Sequence, residues 1–186
     1  MPVTPDPTQP DLPGPDPDAP IRRVTLEVET HVAAGGWDQA PRLYALVATT
    51  DLLASEPELA EQLGVDGGAE GALTPVEQDE LPDDTTIEEL LEQIAWPPQV
   101  VGCAVVLERL MLPPEAEAGM PDDPDAAAAY AAEHPERQEV RIAAAVTRRG
   151  EAHCAVRPHV GDGEDVLEGP DLVPGLVELL FQTLAD

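Results

Sequence analysis

Between Ile21 and Ala34 the apolar residues fit two periods at once. Val24, Leu26 and Val28 alternate with Thr25, Glu27 and Glu29, as in a half-buried strand. Ile21, Val24, Val28 and Val32 also fall on one helical stripe. Gly35-Gly36 supplies a helix stop, so the segment is taken as helix. Leu43 to Ala48 follows as a short strand. Ser55 then reads as the cap of a helix with Pro57 in its first turn, Leu59 and Leu63 on one face and Gly64 as its end. Residues 65–73 carry three glycines and read as loop. Thr74-Pro75-Val76-Glu77 has the form of a capping box and predicts one short helical turn. Thr85-Thr86-Ile87-Glu88 repeats that form, and Ile87, Leu90, Leu91 and Ile94 extend it into an amphipathic helix ended by Pro97.

Val100 to Arg109 is apolar on both faces as far as Leu107, the mark of a central strand. Residues 113–124 read as loop, and Asp123-Pro124 opens an alanine-rich helix that Pro135 closes. Glu139 to Thr147 and Glu151 to Arg157 form a hairpin around Arg148-Arg149-Gly150, with Gly150 in the left-handed position of a bulged turn. The three-residue loop pairs Ala144 with Cys154 and Ile142 with Val156, apolar against apolar. A last helix opens at Asp171 and buries Leu172, Leu176, Leu179, Leu180 and Leu184. The order α-β-α-α-β-α-β-β-α predicts an α+β domain: a mostly antiparallel sheet of about four strands, covered on one face by helices.

Composition adds a tail to this picture. Residues 1–20 hold eight prolines and four aspartates but few apolar side chains, too few to offset their ordering entropy, so they are expected to be disordered. Residues 21–186 suit a single acidic domain. The chain carries 38 acids against nine bases, a net charge of −29, and every base is arginine. Such a charge repels nucleic acid and anionic lipid, so neither is an expected partner. The longest uncharged run, Gln93 to Leu107, is 15 residues long, contains Pro97 and Pro98, and is too short to span a bilayer. With two cysteines and no signal peptide, the expected address is the cytoplasm.

Candidate chemistry is sparse. Without lysine there is neither a Walker phosphate loop nor a Schiff-base lysine, and Ser55, the one serine, lies outside any nucleophile elbow. His153 and Cys154 point to opposite faces of one strand, while His153 and His159 lie about 20 Å apart on an extended strand. Asp162-Gly163-Glu164-Asp165 lacks the ligand spacing of a calcium loop. No metal, cofactor or catalytic residue is expected. Cys103 and Cys154 read as small buried apolar residues, and Trp37 and Trp96 as lids on the core. One cluster stands out: residues 137–157 hold five arginines against Glu139 and Glu151. The hairpin register sets Arg141 opposite Arg157 on the non-core face, near His153, beside the small side chains of Ala143, Ala145 and Ala155. Facing like charges need an anion between them. Either the domain's own carboxylates supply it, or Arg141, Arg157 and His153 bind an anionic ligand.

Trp96-Pro97, Gly102-Cys103-Ala104 and Glu108-Arg109-Leu110 through Pro113-Pro114 resemble an uncharacterised family of actinobacterial proteins. His31-Val32 through Gly36-Trp37-Asp38, Arg42 to Val47 and Gly169 to Leu184 extend the resemblance over most of residues 21–186. It implies an α+β architecture similar to that of secretion chaperones, which bind protein segments, and carries no activity or catalytic residue with it. The leading expectation is a non-enzymatic domain that binds another protein or forms a homodimer through its sheet. The alternative is a binder of, or hydrolase acting on, an anionic small molecule at Arg141, Arg157 and His153.

Overall fold

The computed structural model describes residues 16–82, 84–160 and 165–185. Most of the expected tail, residues 1–15, and Asp162-Gly163-Glu164 lie outside them. In chain order the elements are α1 (Pro20–Ala33), β1 (Arg42–Ala48), α2 (Thr49–Ser55), α3 (Pro57–Gln62), β2 (Leu73–Glu77), α4 (Ile87–Leu91), β3 (Gly102–Met111), α5 (Pro114–Glu117), α6 (Pro124–Glu133), β4 (Gln138–Thr147), β5 (Ala152–Pro158), β6 (Leu167–Gly169) and α7 (Pro174–Thr183). Helix and antiparallel sheet are mixed as expected. The sheet, however, has six strands rather than about four, in the order β2-β1-β3-β4-β5-β6.

The two added strands are both edges. Thr74-Pro75-Val76-Glu77, expected as a helical turn, pairs antiparallel with β1 through Ala45↔Val76 and Leu46↔Pro75. Proline is tolerated there because an edge strand has one side free of ladder bonds. β6 is only three residues long and pairs Cys154, Ala155 and Val156 with Gly169, Glu168 and Leu167. Ser55 does not cap a helix: it ends α2, its hydroxyl donating to the Asp51 carbonyl at 2.7 Å. α7 starts at Pro174 rather than Asp171, which leaves Leu172 exposed. α1 is helical as taken, with Pro20 in its first turn. Thr86 and Glu89 make the capping box of α4.

Strand alternation sends side chains to two separate cores. On one face Leu43, Val105, Leu107, Ile142, Val146 and Val156 pack against Leu176 and Leu180 of α7, Leu184 just after it, and Ile87 and Leu91 of α4. On the other, Ile21, Val24, Val28 and Val32 of α1 pack on Leu46, Val106 and the alanines 104, 143, 145 and 155. Helices therefore cover both faces, not one. The alanines offer little more than a methyl group each on this face, and the side chains of α1 fill the space above them. The hairpin register is as expected, Ala144 against Cys154 and Ile142 against Val156, with Gly150 at φ 85° in the turn.

Candidate functional site

The face that carries Arg141, Arg157 and His153 is not a solvent face. It lies under α1, and Arg141 and His153 are fully buried. The space beside the alanines is filled by the protein's own first helix.

α1 brings its own polar groups to meet them. Thr25 and Glu29 fall between the apolar positions of the buried stripe and face the sheet with them. Thr25 returns its hydroxyl to the Ile21 carbonyl at 2.6 Å, which satisfies it within the helix. Glu29 is 1% exposed and takes the Arg157 guanidinium bidentately, Nε to Oε1 at 2.6 Å and Nη2 to Oε2 at 2.8 Å. These hydrogen bonds raise the Arg157 pKa further, against the opposing effect of burial.

Arg141 is held differently. Its Nη2 donates to Glu108 Oε1 at 2.9 Å and to the Gly36 carbonyl. The indole of Trp37 lies over the guanidinium, 4.4 Å from ring centroid to Cζ. Gly36 and Asp38 both adopt left-handed backbone, at φ 84° and 62°, and this double bend folds Trp37 back over the sheet. Trp37 stacks in turn on His159, with centroids 4.1 Å apart and planes within 12°. His159 Nδ1 lies 2.7 Å from Glu139. The Nε of Arg141 is buried without a partner.

His153 faces Glu168 of β6 at 3.2 Å, and Arg22 of α1 grips the same carboxylate with bonds of 2.6 and 2.9 Å. The bonds from Arg22 hold Glu168 below the usual carboxylate range. Burial lowers the His153 pKa despite that carboxylate, favouring the neutral ring. The three singled-out residues thus fall in one layer, but each has its own carboxylate. An anionic ligand at Arg157 would have to displace Glu29.

Reading the sequence missed those partners: Glu29, Glu108, Glu168, Arg22 and Trp37. Glu29 had a signal, since an acid four residues after Thr25 in the Ile21–Val32 stripe sits on its buried side. Glu168 had none, because β6 is too short to show a period.

The thiols are structural. Burial pushes the Cys103 thiol up to about 11, with Thr183 Oγ1 at 3.4 Å, and burial raises Cys154 too. Trp96 closes that end of the core by donating its indole N–H to Thr183 at 3.0 Å. Among the described residues no group of three His, Cys, Asp or Glu side chains could hold a metal ion. None of their helices is long and apolar enough to cross a membrane.

Fold and charge layer together define an α+β domain in which an antiparallel sheet is closed on one side by an ion-paired helix. The chain belongs to the PPA1309-like protein family, whose model matches residues 21–185. No curated protein and no solved structure matches it.

Proposed function

We propose that this chain is a non-enzymatic cytoplasmic domain that binds a basic segment of another protein. The observation that carries the reading is the division of charge. Arg22, Arg42, Arg109, Arg141 and Arg157 each meet a carboxylate of the domain itself. Arg148 donates to the carbonyls of Val100, Leu184, Trp96 and Pro97. Six of the nine arginines are thus engaged by the domain itself, while residues 43–108 carry 15 acids and no base. α2, α3, β2 and α4 are built from that stretch. An acidic surface of this kind steers a basic partner toward it.

A second copy of the chain would bring another −29 and is disfavoured as the partner. Both sheet faces are occupied by helices, so the partner meets the acidic elements and not the sheet. A segment-binding role also agrees with the secretion-chaperone likeness that the actinobacterial resemblance implies.

The test is affinity capture with the tagged full chain in native-host lysate, washed at about 50 and about 500 mM NaCl. The expected result is one stoichiometric basic protein, retained at low salt and released at high salt. An acidic or salt-indifferent partner overturns the reading. So does the absence of any stoichiometric partner together with a monomeric sedimentation profile.

A further inference from the structure

One arginine stands apart from the internal ion pairs. Arg149, in the β4–β5 turn, is exposed, and among the described residues it alone of the arginines makes no hydrogen bond or ion pair. It borders a groove of about 430 Å³, in the size range of pockets that enclose a ligand. Pro20, Ala48, Leu73 and Val101 form its apolar wall, each half-buried between core and solvent.

The chain enters the fold at the lip of this groove. Pro20 is both the first residue of α1 and part of the wall. Just ahead of it a turn is closed by the Ala19 N–H to the Asp16 carbonyl at 3.1 Å. Arg22 and Arg23 fasten that turn through the Pro17 carbonyl and Asp18. Before Asp16 come 15 residues with a single leucine, in Pro10-Asp11-Leu12-Pro13. Leu12 precedes Pro20 by eight positions. Their extended reach is about 28 Å, enough to reverse at Gly14 and return to the groove. The flanking prolines already fix φ in the free chain, so docking this stretch gives up little conformational freedom.

We propose that residues 10–13 of the same chain dock in this groove, Leu12 against the apolar wall and the Asp11 carboxylate on the Arg149 guanidinium. The assignment is independent of the basic-partner reading above. In a chain of net charge −29, the turn that carries Arg148 and Arg149 is where an acidic segment meets attraction. Two carboxylates on the border set the direction of docking. Glu151 is held on the hairpin by the Thr147 hydroxyl at 2.7 Å, and Glu70 stands ahead of β2. Asp11 therefore fits at the Arg149 end and is repelled from the β2 end. Docked in this way, the segment covers apolar surface that another chain would otherwise meet.

The test is paramagnetic broadening of backbone amides in the full chain, with a nitroxide on Thr8→Cys. Cys103 and Cys154 are buried and escape the label. The expected result is broadening at Ala48, Leu73, Val101 and Gly150. Leu12→Ser should lower the ratio of docked to free segment about tenfold, the loss of one buried leucine. Arg149→Glu should lower it about two- to fivefold, as for an exposed ion pair. Asp11→Arg added to Arg149→Glu should restore the broadening. Both positions lie outside the two cores, so the thermal midpoint should match wild type in each variant. Equal broadening in wild type, Leu12→Ser and Arg149→Glu overturns the proposal, because it then reports only the tether at Pro20. A loss in Arg149→Glu with none in Leu12→Ser also overturns it, leaving a charge contact without docking. Mixing labelled chain with unlabelled, isotope-enriched chain separates the remaining case. Broadening of the unlabelled chain would place a second copy in the groove and overturn docking within one chain.

Discussion

Arg157 and Glu29 show how much of this structure turns on single charges. Removing one member of a buried pair strands the other without solvent or counter-charge. Arg157→Leu leaves Glu29 in that position and is expected to cost about 3–5 kcal/mol in urea unfolding. The double variant Glu29→Leu/Arg157→Leu should return most of the loss, since it removes both charges and keeps apolar volume. A double variant as unstable as the single one would mean the pair is not the source of the effect. His153 gives a pH test. Its pKa is lower folded than the ordinary 6.5, so the unfolded chain takes up the proton first as pH falls. Stability is therefore present above 6.5 and is lost as pH drops through the folded pKa. Thermal midpoints between about pH 7 and pH 5 should fall more steeply for wild type than for His153→Gln. Equal slopes would show that this imidazole does not contribute.

At the scale of elements, the hairpin was the most legible part of the chain. Its three-residue loop and apolar pairing fixed the register that sets Arg141 beside Arg157. The same pattern misled about which face is covered. Ala143, Ala145 and Ala155 present so little apolar area that their face reads as outer, and the helix that covers it lies more than a hundred residues away. The edges were illegible for a different reason. A proline in a capping-box sequence resembles a helix start, and three residues are too few to show alternation. Pairing of β3 with β4 supplies another test. A side chain added at Gly102 would collide with the Val146 carbonyl and press on Leu46. Gly102→Ala should cost about 1–3 kcal/mol, as expected of overpacking against backbone. A neutral result would mean the strands can separate locally.

For the molecule as a whole, the acids outside the internal ion pairs repel one another across the surface. Added salt screens exposed charges more than buried ones, so Glu29–Arg157 and Glu108–Arg141 should persist while surface repulsion fades. The thermal midpoint is expected to rise by about 3–6 °C between low and about 0.5 M NaCl. A falling midpoint in differential scanning calorimetry would place the dominant charge effect in the ion pairs instead.

The pairing of Glu29 with Arg157 also joins positions 128 residues apart. During synthesis the first helix leaves the ribosome long before the strand that neutralises its buried carboxylate exists. Until then α1 cannot settle on a sheet without burying an unmatched charge, so its docking belongs among the last folding events. A nascent chain halted before residue 157 would display the apolar stripe of α1 and leave it open to chaperones and proteases.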